Sequence, residues 1–267
     1  MQPYEQNRYA WGTTATRSQA EVDQGLRAFM LGVYNNMVLG LAVSAVVALG
    51  INMFAVTANV ADAYRNAAGQ AVRMGGQYLT PFGYTLYGTP LMWVVVLAPL
   101  AFIFFFTFRM ERMSAATART TFLTFAAVMG ASLSTLLLRY TGASVVQVFF
   151  ITAAAFGSLS LWGYTTQRSL SGMGSFLLMG LIGLIIASLV NIFLASSALQ
   201  FAISAIGVLI FAGLTAYDTQ KLKEMYVYGD YDGEAAAKAS VFGALTLYLD
   251  FINMFQFLLS LFGSRNE

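Results

Sequence analysis

The segment Leu247-Tyr248-Leu249-Asp250-Phe251-Ile252-Asn253-Met254-Phe255-Gln256-Phe257 is apolar enough for hydrocarbon, yet it carries a carboxylate in its middle. It belongs to the apolar run Ser240–Phe262, and about 20 such residues cross a bilayer as one helix. Asp250 falls near the centre of the run. An ionisable group at that depth costs at least ~2.5–3.5 kcal/mol on insertion scales, so it normally faces the bundle interior and serves a pathway or a proton relay. Asn253, three residues on, shares its helix face. Tyr248 and Gln256 make this the most polar run in the chain. A helix of that pattern is poorly suited to lipid on all sides, which places it at the centre of a bundle.

The rest of the chain supplies the bundle. Of 267 residues, 58% are hydrophobic and 10% charged, against about 25% charged in a soluble domain. A soluble enzyme of one or two domains is excluded. Six further apolar runs are long enough to span: Ala28–Ala55, Leu91–Phe108, Thr121–Leu138, Val145–Thr166, Ser175–Ala195 and Leu199–Tyr217. The expected fold is an all-α polytopic membrane protein with seven transmembrane helices and the C-terminal helix central. Its parts are a polar tail over 1–27, a transmembrane domain over 28–262 and a short tail over 263–267. The first 27 residues lack an apolar core, so the tail reads as mature sequence and not as a signal peptide.

With seven spans, ten of the 14 Lys and Arg residues fall on the side of the amino terminus. Positive charge collects in the cytoplasm, so the amino terminus reads as cytoplasmic and the carboxyl terminus as periplasmic. The longest connection, Val56–Pro90, holds Tyr64, Tyr78, Tyr84 and Tyr87, which are expected at the water–lipid boundary. Small residues four apart (Ala153 and Gly157, Gly183 and Ala187, Ala212 and Ala216) are expected where helix backbones approach closely.

Two absences narrow the chemistry. Without Cys there are no disulfides, thiol nucleophiles or thiolate metal sites; without His there is no imidazole-ligated metal, Ser-His hydrolysis or ordinary pH switch. The net charge of +2 is too small to suggest nucleic acid. Of the 12 carboxylates, ten lie in tails or loops; Asp250 lies within the seventh span and Asp218 at the inner end of the sixth. The two meet only if the sixth helix continues through Leu222, Met225 and Tyr226, with Lys221 and Lys223 snorkelling. Two carboxylates in one dry site cannot both ionise comfortably, so they hold one proton between them and titrate as a unit. Ca²⁺, a hard ion that takes several oxygen ligands, can replace that proton. Arg109, ending the second span, is either a counter-charge that latches the pair or a positive-inside anchor beside Arg112.

Three other signals are set aside. Asp230-Tyr231-Asp232-Gly233-Glu234 resembles the start of an EF-hand loop, but Gly comes one residue early and Ser240 nearly occupies the place of the bidentate Glu. It reads as a solvated acidic loop. Tyr217-Asp218 is similar to the Tyr-Asp of intramembrane aspartyl proteases, but Asp250 follows Leu247-Tyr248-Leu249 and not Gly-x-Gly. No Lys lies within a span, which excludes a retinal protein. No enzymatic centre is expected.

At Ala216-Tyr217-Asp218-Thr219-Gln220-Lys221-Leu222-Lys223, and again at Leu247-Tyr248-Leu249-Asp250-Phe251-Ile252-Asn253, the chain resembles the Bax inhibitor-1 family in its bacterial branch. The resemblance implies a central last helix wrapped by two three-helix groups. It also implies a proton-sensitive Ca²⁺ leak gated by an aspartate pair, here Asp218 and Asp250, with Tyr217, Asn253 and Arg109 as supporting or latching residues. Some members add an acidic residue and an Arg in the second span; Arg109 stands for the Arg, and no Asp or Glu lies between Leu91 and Phe108. The expected function is a pH-sensitive Ca²⁺ leak of the bacterial inner membrane, with Ca²⁺ as permeant or transient ligand, no permanently bound cofactor, and the lipid bilayer and protons as its other partners. The alternative is an interaction protein that modulates a membrane-bound ATP-dependent protease or a stress response, with the tail Met1–Arg27 carrying the contact.

Overall fold

A computed structural model describes residues 19–109, 112–229 and 233–266. Eight helices form in these stretches: α1 (Gln19–Ala55), α2 (Pro81–Tyr87), α3 (Leu91–Arg109), α4 (Ala115–Arg139), α5 (Gly142–Thr165), α6 (Ser171–Leu194), α7 (Ser197–Tyr228) and α8 (Gly233–Phe262). Several begin where the apolar runs give way to a hydroxyl residue. Ser114, Thr141 and Ser196 accept hydrogen bonds from the amides of Thr117, Ser144 and Leu199 and so cap α4, α5 and α7. Thr80 caps α2, and Pro81 follows at its first position.

Among the described residues six helices are long and apolar enough to cross a membrane, and a seventh span results when α2 and α3, bent by 60°, count as one. The protein is a multi-pass membrane protein of all-α architecture. α1, α3 and α4 pack together, as do α5, α6 and α7, and α8 lies between the two groups against α1, α4, α5 and α7. Burial identifies it as the centre: 56% of its spanning segment is buried, against 17–39% for the other five. α3 and α6 pack chiefly on α4 and α7, and α3 also reaches the central helix, where the Phe106 and Phe242 rings lie 5.6 Å apart.

The centre is pinned by Tyr248, which is fully buried. Its hydroxyl donates to Ser44 Oγ at 2.6 Å, and Ser44 donates to the Ala126 carbonyl at 2.7 Å. Phe122 and Phe125 meet its ring edge-on. Two crossings depend on glycine. A Cβ at Gly130 would stand 2.8 Å from Ser44 Cα, and one at Gly163 would stand 2.9 Å from Ala216 Cα. Of the small residues expected at such contacts, Ala216 is so placed, and its partner is Gly163. Gly157 and Gly183 have open space where a Cβ would stand. Spacing marks a small-residue face but not whether a neighbour occupies it.

α1 and α7, with 37 and 32 residues, are about 55 and 48 Å long and overrun a hydrocarbon core of about 30 Å. Their overruns meet at one end of the bundle, where Phe29 stacks on Tyr226 at 5.0 Å. α1 therefore starts at Gln19 and not at the apolar boundary, because packing on α7 supports its polar first turns. The rest of the tail expected to contact a protease, residues 1–18, lies outside the described residues, as do Asp230, Tyr231 and Asp232 of the acidic loop.

At the opposite end a small antiparallel sheet of β1 (Val56–Thr57), β2 (Arg73–Met74) and β3 (Gln77–Leu79), in the order β1-β3-β2, leads into α2. Tyr64 stacks on Tyr84 at 3.9 Å, and Arg73 lies 5.0 Å over the Tyr78 ring. The expectation of four interfacial tyrosines fails at Tyr87. That residue is buried and shares a 2.7 Å hydrogen bond with Ser134 of α4, because the bend between α2 and α3 turns it inward. Residues 263–266 of the carboxyl-terminal tail are also held against the bundle. Asn266 donates from its side chain to the carbonyls of Leu138 and Tyr140 at 3.2 and 3.1 Å, satisfying acceptors at the end of α4.

Candidate functional site

α7 and α8 form an antiparallel hairpin in register from Leu222 against Gly243 to Ser204 bonded to Ser260 at 2.9 Å. α7 continues past the apolar boundary because its lysines find partners along neighbouring rings. Lys223 donates to the Tyr164 carbonyl at 2.9 Å and lies 5.4 Å from that ring's centre, and Lys221 lies 5.8 Å from the centre of the Tyr217 ring. Asp218 is therefore carried on helix ten residues before Tyr228, about 15 Å from the helix end. From there its carboxyl comes within hydrogen-bonding reach of the Asp250 carboxyl. Asp250 is 4% exposed and Asp218 half-buried.

The pair has a specific chemical deficit. Among the described residues no donor reaches Asp250 Oδ2, although that oxygen is buried. An ionised carboxylate only accepts hydrogen bonds, whereas a protonated one also donates. One proton between the two carboxyls turns facing acceptors into a donor and an acceptor. Lys221, nearly one turn beyond Asp218, adds an electrostatic attraction to that side of the pair. Among the described residues no cluster of three His, Cys, Asp or Glu is placed to hold a metal ion. The pair therefore presents two carboxylates and no third such ligand among the described residues.

The other three residues singled out from the sequence lie elsewhere. Asn253 donates to the Leu249 carbonyl at 2.8 Å and lines a cavity of about 220 Å³ with Leu184, Ser188, Phe211 and Phe257. The Tyr217 ring packs on α6 at Gly174. Arg109 is exposed at the end of α3, in a shallow depression with Phe105, Phe108 and Arg112. The structure brings two of the five together.

The profile of a family described as "Inhibitor of apoptosis-promoting Bax1" matches residues 26–267. The chain belongs to the Bax inhibitor-1 family. It is 49% identical over 259 residues to an uncharacterized protein of Caulobacter vibrioides, covering 97% of each chain. It is 42% identical to the uncharacterized protein RP147 of Rickettsia prowazekii, covering 97% of this chain and 99% of that one. The Escherichia coli inner membrane protein YbhL is 48% identical over 172 residues, 64% of this chain and 74% of its own.

In this Bax inhibitor-1 member a hydroxyl chain adjoins the pair. Tyr34 of α1 donates to Ser160 of α5 at 2.7 Å, Ser160 donates to Thr219 of α7 at 2.9 Å, and Thr219 donates to the Thr215 carbonyl at 2.7 Å. Thr219, fully buried, is the residue after Asp218. Sequence reasoning passed these residues by, because each hydroxyl is on a different span and is commonplace there. Gln220 was passed by as well. Its side chain accepts from the Leu170 amide at 2.7 Å and donates to the Arg168 carbonyl at 2.9 Å, tying the α5–α6 connection to α7.

Proposed function

We propose that this protein is a slow, pH-responsive Ca²⁺ leak of the bacterial inner membrane, in which Asp218 and Asp250 form one site for a proton or a Ca²⁺ ion. The observation that carries the proposal is the buried Asp250 oxygen without a donor, beside a second carboxyl within hydrogen-bonding reach. With one proton between them the carboxyls bond to each other and α7 is held on α8. When the proton leaves, two negative charges face each other in a poorly solvated site. The repulsion is relieved by separating the helices or by admitting a divalent cation. Ca²⁺ fits that task because it takes six to eight oxygens in irregular geometry, with water completing the shell around the two carboxylates. The excess of Lys and Arg at the end shared by the α1 start and the α7–α8 hairpin favours a cytoplasmic amino terminus.

The test is Ca²⁺ entry into proteoliposomes loaded with a Ca²⁺ dye, followed from acid to alkaline pH. The wild type is expected to leak in a pH-dependent way, and Asp218→Asn and Asp250→Asn to lose that dependence. An unchanged flux and pH response in both variants contradicts the assignment.

A further inference from the structure

A second site lies on the lipid-facing side; the carboxylates do not line it, but Tyr34 and Ser160 of the hydroxyl chain do. α1 packs on α4, α7 and α8, and α5 packs on α7 and α8. Between α1 and α5 a groove of about 840 Å³ is left, floored by Phe251 of α8. Its walls are almost wholly apolar: Leu41 and Ala45 on one side, Ala153 and Gly157 on the other. Its charge is confined to one end, where exposed Arg27 forms the mouth. Ala153 and Gly157 are two of the small residues that the sequence places at a helix contact, yet nothing lies within 4 Å of where a Gly157 Cβ would stand. The small side chains keep the groove open.

We propose that this groove binds one anionic phospholipid, with an acyl chain along the cleft and the phosphate at Arg27. The shape and the charge agree on this occupant. From Arg27 to Ala45 the groove follows 18 residue steps of α1, about 27 Å at 1.5 Å per residue. A single leaflet is about 15 Å of hydrocarbon, half the bilayer core, so one chain lies within the groove at full extension. Both flanking helices are membrane spans, so lipid is the solvent at the opening. A cation at only one end selects an amphiphile with an anionic head. A free anion would leave the apolar length unused, and a partner helix would leave the terminal charge unused.

Native mass spectrometry of the full-length protein in detergent, with phosphatidylglycerol or phosphatidylcholine added, tests the proposal. The wild type is expected to carry one phosphatidylglycerol per chain, with about a fivefold preference over phosphatidylcholine, the effect of one basic contact with an anionic headgroup. Gly157→Phe, which fills the groove from a position with open space around it, is expected to lose both lipids. Arg27→Gln changes an exposed side chain and tests the headgroup alone: it is expected to keep lipid binding and lose the preference. Three results overturn the proposal: no more bound lipid in the wild type than in Gly157→Phe, an undiminished preference in Arg27→Gln, or a dimer that Gly157→Phe dissociates, which would make a second copy the occupant.

Discussion

Replacing Gly163 by Ala adds one methyl group at the α5–α7 crossing that positions Asp218. The new Cβ would stand 2.9 Å from both Cα and the carbonyl carbon of Ala216, and nearer still to its oxygen; ordinary contact begins at 3.4 Å. All three atoms are backbone, so no side chain can swing away, and relieving the oxygen contact alone requires a separation of about 1 Å. Overpacking of this kind costs about 1–3 kcal/mol. The separation also stretches the 2.9 Å hydrogen bond between Ser160 and Thr219, whose loss adds about 1 kcal/mol. Alanine returns about 1 kcal/mol through its higher helix propensity, leaving a net destabilisation of about 1–3 kcal/mol. Gly157→Ala, on the same helix but facing open space, receives the propensity gain alone and should be neutral or stabilising. Reversible denaturant unfolding of both variants in one micelle system measures the contrast. Equal stabilities would refute the reasoning, since composition and helix are shared and only the facing backbone differs.

Gln220→Leu should cost about 2–3 kcal/mol, because it leaves the Leu170 amide and the Arg168 carbonyl without the partners that Gln220 supplies in a buried position. Amide exchange at Leu170, which begins α6 without a side-chain cap, should accelerate in that variant, and unchanged exchange would count against the strut role. Asn266→Ala should cost about 1 kcal/mol and loosen the carboxyl-terminal tail, read as faster exchange of the Thr141 amide that donates to Ser264.

Much of this fold is legible in the sequence because a bilayer demands long apolar runs, and the seven runs correspond to spans with α2 joined to α3. The central position of α8 is legible for a related reason: Asp250, Asn253 and Gln256 in one run are incompatible with lipid on every side. Helix ends are less legible. Hydropathy falls at Asp218 and at Arg27, yet both helices continue, supported by ring stacking at Tyr226 and by lysines lying over tyrosines. Those contacts belong to tertiary structure and leave no periodic signal. The small-residue spacing shows the same limit, since Ala153 and Gly157 border an open groove while Gly163 carries the close crossing. At the candidate site, the two aspartates stand out from sequence because charge in mid-span is rare. The hydroxyls of Tyr34, Ser160 and Thr219 do not, because their arrangement exists only once three helices are assembled.

The most direct measurement is a double-mutant cycle on the pH dependence of Ca²⁺ flux, comparing wild type, Asp218→Asn, Asp250→Asn and the double variant in proteoliposomes. Like charges at about 4 Å in a medium of effective dielectric about 20 repel by about 4 kcal/mol, enough to shift a closed–open ratio by about a thousandfold. If the carboxyls act as one site, either single substitution removes this term completely and the second has nothing left to remove. We expect three variants with the same flat pH profile. Two partial losses that add up in the double variant would mean that the aspartates titrate independently, and that they are not one gate.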